Sequence, residues 1–456
     1  MRNGPSEAYL LCGGDSERLG FPKEMVRVDG APLAAAMVGK LRRLFERVAV
    51  VSNHPGYLEH WLDAPVHEDA FPGLGPLAGI HTGLERTEGE GAFFLACDMP
   101  LVPEGLIRRI VEAAAGSGAP AVVARTDRGP EPLCGVYAKG LLPALAERLQ
   151  DGADLGVKAF LADAGAAFVD LAPDEAGALR DVDTPADLHL LRRVFDEVQP
   201  LPVLRRDVRR IGGPPAEEDF LAAERPFTFH VDDAHLATVL CSPNALRELA
   251  VGFLSYLGLV RRYADVVEMT VQYDAERVRV KLDVDAAALR RAVQLQISST
   301  CGATVFGPPL PEGAVGDARD PFRVRPGHIL ATARRLREMA PVFARTGATH
   351  QAAFTDGARV LHFEEDVGRH NAVDKVVGHC LIRGTDTSRG VLLVTGRLNS
   401  QLVVKALRQG IPVVASRSAP TAHAVDLARR HGMTLVGFAR GERLNIYSAP
   451  QRVANG

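Results

Sequence analysis

Short apolar runs that stop abruptly at glycine or at a polar residue recur along this chain, and helically spaced segments lie between them. Ala8-Tyr9-Leu10-Leu11-Cys12 halts at Gly13-Gly14, Val48-Ala49-Val50-Val51 at Ser52-Asn53, and Ala92-Phe93-Phe94-Leu95-Ala96-Cys97 at Asp98. Helical spacing fills 33–45 and 106–115, and a fourth run follows at 121–124. Continuous apolar runs of this length are strands buried on both faces. Their alternation with helices predicts a parallel sheet covered on both sides. Ligands bind such sheets beyond the carboxyl ends of the strands, and here those ends carry Gly13-Gly14, Asn53 and Asp98.

The pattern lapses near 196–226, where prolines, Gly212-Gly213 and an arginine cluster gather, and then resumes. Strands are expected at 227–231, 236–241, 266–273 and 277–284, and a helix at 244–257. Helices and strands alternate again from 328 to 447. A length of 456 residues suits two or three domains. The expected division is 1–195, a linker at 196–219, and 220–456. A net charge of −3 gives no bulk attraction to nucleic acid or anionic membrane. No run approaches the ~20 apolar residues of a membrane helix, the first residues carry no signal-peptide pattern, and six cysteines in so long a chain are no disulfide framework. A cytoplasmic protein is expected.

Only seven of the 53 basic residues are lysine, so each lysine draws attention as a compact point charge. Lys23 closes the loop Gly13-Gly14-Asp15-Ser16-Glu17-Arg18-Leu19-Gly20-Phe21-Pro22. Glycines let backbone N–H groups approach a phosphate, and Arg18 and Lys23 add charge. The loop is neither a Walker A motif nor a dinucleotide fingerprint. Asp98, at a strand's carboxyl end, suits a Mg²⁺ ion that bridges phosphate oxygens.

These residues, with Asn53, Asp69, Gly75-Pro76-Leu77-Ala78-Gly79, Cys97-Asp98-Met99-Pro100 and Asp183-Thr184-Pro185, resemble the molybdenum cofactor guanylyltransferases (the MobA family) over about 7–194. The resemblance implies a Rossmann-like nucleotidyltransferase domain in which the molybdopterin phosphate attacks the α-phosphorus of GTP. It implies that Gly13, Gly14, Arg18 and Lys23 hold the triphosphate and that Asp98 binds Mg²⁺. Asn53 and Asp69 would bind the nucleotide, Leu11 would line the base pocket, and Asp183 would be a second metal ligand or a pterin-side ligand. Asp181-Val182-Asp183 departs from the Asn-containing form usual in the guanylyl branch and looks more like cytidylyl enzymes. The choice between GTP and CTP stays open.

In the second half, Cys301 stands in a polar, glycine-containing loop after Ser298-Ser299-Thr300, a setting for a reactive thiol; Cys12, Cys97, Cys134 and Cys380 read as small buried hydrophobes. Three polar loops follow strands and enter helices: Asp366-Val367-Gly368-Arg369-His370-Asn371, Gly396-Arg397-Leu398-Asn399-Ser400 and Ser416-Arg417-Ser418-Ala419-Pro420-Thr421. Together they predict one pocket for an anionic ligand. The run Gly368-Arg369-His370-Asn371-Ala372-Val373-Asp374-Lys375, with His350-Gln351-Ala352-Ala353-Phe354 and Val436-Gly437-Phe438-Ala439-Arg440, resembles the formate dehydrogenase accessory sulfurtransferases (the FdhD family) over about 220–448.

That resemblance implies an α/β domain similar to the cytidine deaminase fold. The zinc signature of that fold is absent from the sequence, so no metal is expected in this half. It also implies that Cys301 carries sulfur as a persulfide from a cysteine desulfurase to the guanylylated cofactor, for delivery to a formate dehydrogenase. Arg369, His370, Asn371 and Lys375 would bind that cofactor. Thr304 stands where many relatives have a second cysteine, so a non-catalytic, cofactor-binding chaperone is the alternative for this half.

Overall fold

The computed structural model describes residues 4–454 except 14–15, 17–18, 20–21, 60, 153–154, 200–201, 208–217, 233, 274 and 284–321. Arg18, Gly14 and Cys301 therefore lie outside the described residues. The chain divides into two compact units, 1–201 and 202–456. Among the described residues no helix is long and apolar enough to cross a membrane.

The first unit is built on a seven-stranded sheet. In chain order its strands are β1 (Glu7–Cys12), β2 (Arg47–Ser52), β3 (Val66–Glu68), β4 (Gly91–Ala96), β5 (Ala121–Thr126), β6 (Gly129–Ala138) and β7 (Ala167–Asp170). Across the sheet the order is β3-β2-β1-β4-β6-β5-β7. The first four neighbours are parallel, with Leu10 opposite both Val50 and Leu95; β6 runs antiparallel to β4 and β5, and β5 is parallel to β7. The longer helices among its described residues are α1 (Leu33–Arg42), α2 (Pro76–Arg86), α3 (Glu104–Ser117), α4 (Leu142–Asp151) and α5 (Val157–Ala164).

Every residue of β4 is buried, as the unbroken apolar run requires of a strand covered on both faces. Tyr9 and Phe94 stack at 5.4 Å in a core built with α2, α4 and α5, while Phe93 turns the other way onto Phe45. Each such fully buried ring contributes roughly 1.5–3 kcal/mol.

The second unit holds two larger sheets. Its strands are β8 (Val203–Asp207), β9 (Glu218–Ala222), β10 (Arg225–Val231), β11 (Ala234–Cys241), β12 (Val266–Gln272), β13 (Arg277–Leu282), β14 (His350–Thr355), β15 (Val360–Asp366), β16 (Val391–Val394), β17 (Val413–Ser416), β18 (Thr434–Arg440) and β19 (Arg443–Ser448). The helices among its described residues are α6 (Leu246–Tyr256), α7 (Pro326–Glu338), α8 (Pro341–Thr346), α9 (Arg369–Ile382), α10 (Ser400–Arg408) and α11 (Ala422–Arg430). One sheet has the order β11-β10-β13-β12 and the other β15-β14-β16-β17-β18-β19, with β16, β17 and β18 parallel. β8 and β9 pair antiparallel, so the stretch read as a linker carries strand structure where it is described.

A single apolar core joins both larger sheets through α6, α9, α10 and α11. α6 and α9 meet backbone to backbone. A Cβ added at Gly252 would lie 1.9 Å from the Asp374 carbonyl oxygen, and one added at Gly378 would lie 1.9 Å from that of Glu248. Only glycine permits this approach.

Candidate functional site

In the first unit the carboxyl ends of β3, β2, β1 and β4 open onto a cleft of about 310 Å³. The cleft sits at the reversal of strand order, between strands leading to opposite edges of the sheet, where α/β sheets take ligands. Leu11, Cys12 and Gly13 come from the end of β1, Ser52 and Asn53 from β2, Asp69 from β3, and Cys97 and Asp98 from β4. Gly75 and Pro76 bring the N-terminus of α2 to the same cleft. Gly75 has φ +80°, a left-handed conformation that a side chain strains. Proline at the first position of the helix gives up an N–H that would have no partner there. The positive end of the α2 dipole therefore faces the cleft, as anion sites require.

The charged centre is Lys23. Its ammonium pairs with Asp98 and lies 3.1 Å from an Asp183 carboxylate oxygen. Burial works against the ammonium, but the charges of Asp98 and Asp183 and their hydrogen bonds outweigh it, so the Lys23 pKa is raised. The segment bearing Asp183 is tied to Asp98 by the Val182 amide, which donates to the Asp98 carbonyl at 2.9 Å. Partial desolvation and the negative charges of Asp98 and Asp183 push the Asp181 carboxyl up to about 7.

Among the described residues at this site, Asp98 Oδ1 and Asn53 Oδ1 are buried without a partner. A buried carboxylate oxygen left unpaired is costly, and a hard cation satisfies it. Among the described residues no three His, Cys, Asp or Glu side chains gather as a complete metal site. Mg²⁺ does not need one, because it is commonly held by one or two carboxylates plus substrate phosphates and water. Asp98 and Asp183 fit that donor set.

The first-unit residues expected from sequence that are described, Leu11, Gly13, Lys23, Asn53, Asp69, Asp98 and Asp183, thus come to one place. Asp69 has a structural duty as well: its Oδ1 accepts from the Phe71 amide and the Thr82 hydroxyl, each at 3.0 Å. The sequence reading passed over Lys40. Its ammonium donates to the Pro100 carbonyl at 2.5 Å and the Val102 carbonyl at 3.1 Å, bracing the turn that follows Asp98. Burial, with the Arg43 charge adding to it, lowers its pKa to about 8. The scarcity of lysine was the available signal.

In the second unit the three polar loops emerge at one edge of the six-stranded sheet. β15, β16 and β17 all end there, and β14 begins there at His350. The N-termini of α9, α10 and α11 follow those strand ends. Asn399 and Thr421 cap α10 and α11 with their side chains, whereas α9 has no side-chain cap. His370 Nε2 lies 3.3 Å from the Asn399 amide nitrogen, while His370 Nδ1 and Arg369 Nε are buried without a partner. Burial, reinforced by the Lys405, Arg369 and His350 charges, pushes the His370 imidazole down to about 3. The ring is therefore neutral, able to donate from one nitrogen and accept at the other.

Lys375 and Asn371 differ from expectation. Lys375 is fully buried; its ammonium pairs with Asp366 and donates to the Ser242 carbonyl and the Asn244 side chain. The Asn371 amide nitrogen bonds Asp366 and the Leu240 carbonyl. Both side chains hold the β15–α9 turn, Lys375 against the chain that leads into α6 and Asn371 against the end of β11, because a buried carboxylate needs compensating charge and donors. Lys405 likewise pairs with buried Asp374 at 2.5 Å, over the Tyr256 ring. Of the four residues expected to bind cofactor, Arg369 and His370 keep free polar atoms. All five described cysteines are buried and unpaired.

Comparison with known proteins gives two family matches. Residues 222–454 match the FdhD/NarQ family, and residues 8–167 match a MobA-like NTP transferase domain. A sulfur carrier protein FdhD from Shouchella clausii is 32% identical over 248 residues, covering 53% of this chain and 92% of that protein. The crystal structure of a formate dehydrogenase accessory protein from Desulfotalea psychrophila aligns with TM-score 0.45 at 28% identity, covering 55% of this chain and 98% of that one. The molybdopterin-guanine dinucleotide biosynthesis protein A from Archaeoglobus fulgidus aligns with TM-score 0.37 at 22% identity, covering 42% and 97%.

Proposed function

Since the chain belongs to the FdhD/NarQ family over more than half its length and carries a MobA-like NTP transferase domain ahead of it, we propose that it is a bifunctional maturation protein for the molybdenum cofactor. The first domain transfers GMP from GTP to molybdopterin. The second passes sulfur to the guanylylated product for use by a formate dehydrogenase.

The observation that carries the first activity is the Lys23–Asp98–Asp183 cluster beneath the N-terminus of α2. A molybdopterin phosphate oxygen attacks the α-phosphorus, and pyrophosphate leaves. Lys23 and the α2 N-terminus stabilise the charge that gathers on the transferred phosphorus and the leaving group. Gly13 lets the backbone approach the phosphates, while Asn53 and Asp69 orient the nucleoside beside Leu11. Asp98 and Asp183 would hold Mg²⁺, which supplies charge neutralisation on the phosphate oxygens.

In the second domain Arg369 and the neutral His370 offer unpaired polar atoms at a sheet edge where helix N-termini gather, which suits the diphosphate of a guanylylated cofactor. The sulfur carrier is Cys301. Its thiolate attacks the terminal sulfur of a desulfurase persulfide, becomes a persulfide itself, and releases the desulfurase thiolate. A product released by the first domain meets the second at raised effective concentration.

Pyrophosphate release in the presence of GTP, Mg²⁺ and molybdopterin tests the first activity, with CTP in a parallel reaction to assign the base. Lys23→Ala should lower release about 10²- to 10³-fold while leaving sulfur loading intact. Incubation with a cysteine desulfurase and cysteine should add one sulfur to Cys301 by mass spectrometry, and Cys301→Ala should remove it. Cofactor binding without any persulfide would instead make the second domain a chaperone.

A further inference from the structure

The proposed transfer leaves two thiols at its own site unused. Cys12 ends β1 and Cys97 directly follows β4. These strands pair in parallel with Leu11 opposite Ala96, so Cys12 and Cys97 face one another at the next step. The Cys97 amide donates to the Leu11 carbonyl at 3.0 Å, which continues the ladder. Neighbouring strands lie about 4.8 Å apart, inside the roughly 4.4–6.8 Å between Cα atoms that a disulfide spans. The thiols are only 1% and 2% exposed, yet both residues line the nucleotide cleft.

We propose that Cys12 and Cys97 are a redox modification site, forming a reversible disulfide that shuts down nucleotidyl transfer. The functional part of this inference rests on the nucleotidyltransferase reading above. With hydrogen peroxide as oxidant, one thiolate attacks the peroxide, the O–O bond breaks, and a sulfenic acid and water form. The second thiol displaces the sulfenic hydroxyl, which leaves as another water. Two thiols and one peroxide thus become one disulfide and two waters. A dithiol reductant reverses the step by exchange.

The damage to the site follows from chain connectivity. A disulfide holds its two Cβ atoms about 3.8 Å apart, roughly 1 Å closer than the spacing of neighbouring strands, so the strand ends must be drawn together. The next residues along each strand are Gly13, in the phosphate loop, and Asp98, the partner of Lys23. A displacement of about 1 Å at reacting groups costs about 10²-fold in rate. Both thiols are buried, so oxidation waits on an oxidant entering the cleft. Bound nucleotide covers the pair.

Peptide mapping after peroxide treatment and alkylation of the full-length protein tests this, with pyrophosphate release measured before oxidation, after it, and after dithiothreitol. The expected result is a Cys12–Cys97 cross-linked peptide pair, release lowered at least tenfold, recovery on reduction, and slower cross-linking when GTP is present. In Cys12→Ala the same treatment should leave the oxidised rate close to that variant's own reduced rate. Recovery of both cysteines as alkylated peptides under conditions that fully oxidise Cys301 overturns the proposal. So does a cross-link that leaves release unchanged. If reduced protein releases no pyrophosphate, the nucleotidyltransferase reading fails; the disulfide is then still decided by the peptide map, and its effect by GTP binding before and after oxidation.

Discussion

Lys375 and Asp366 pair at 2.6 Å with neither side chain reached by solvent. Asp366 also accepts from the amides of Ser242 and Gly368 and from the Asn371 side chain. Lys375→Ala leaves that carboxylate buried and uncompensated, and should destabilise the second unit by about 3–5 kcal/mol. Denaturant unfolding reads this directly. If the pair served a ligand instead, the variant would lose ligand affinity and keep its stability.

The α6–α9 contact has no room for a methyl group. Gly378→Ala would place Cβ against the Glu248 backbone oxygen, which no side-chain rearrangement relieves. The cost should reach or exceed the roughly 1–3 kcal/mol of ordinary overpacking. The melting temperature of the second unit should fall accordingly, and an unchanged value would mean that the helices separate freely.

Lys40 acts on the transfer site through the turn it braces. Lys40→Met removes two hydrogen bonds to the Pro100 and Val102 carbonyls, and Asp98 sits at the entrance to that turn. We expect kcat for pyrophosphate release to fall about tenfold, or about 1.4 kcal/mol, with KM for GTP little altered. Equal losses in binding and turnover would contradict a positioning role.

Glu365 makes the second unit sensitive to pH. Burial pushes its carboxyl up to about 7, although the Thr349 hydroxyl and the Val342 and Phe343 amides stabilise the charged form. A folded value raised above the unfolded ~4.3 means that the stability contribution is complete below about pH 4 and is lost as pH rises through 7. Unfolding free energy should fall by roughly 4 kcal/mol across that window. In Glu365→Gln this part of the slope should vanish when the two proteins are unfolded side by side at pH 5.5 and 8.

The central strands of both units were legible because a strand buried on two faces must be apolar throughout, as 92–97 and 391–394 are. β6 was not legible. Pro130 and Pro132 argue against a sheet interior, and the strand accommodates them beyond a register shift opposite Val123 and Ala124. β14 was missed because Ala352 and Ala353 have weak strand preference; burial between two neighbours decides them. The convergence of Asp98 and Asp183 on Lys23 is a long-range event that no local spacing encodes. The motif around Lys375 was readable as chemistry, but sequence does not say whether a lysine faces a ligand or a buried aspartate.

The position of β6 also bears on how the first unit assembles during synthesis. β1 to β4 can pair as soon as residue 96 emerges, but β4 then presents an open edge that is apolar on both faces. β5 and β6 are joined by only Asp127 and Arg128, so they can close as a hairpin within microseconds and dock β6 onto that edge. Until they do, the nascent chain offers a template for pairing with another chain. A translational pause between residues 100 and 138 would therefore be a point of aggregation risk, and a faster hairpin turn would shorten it.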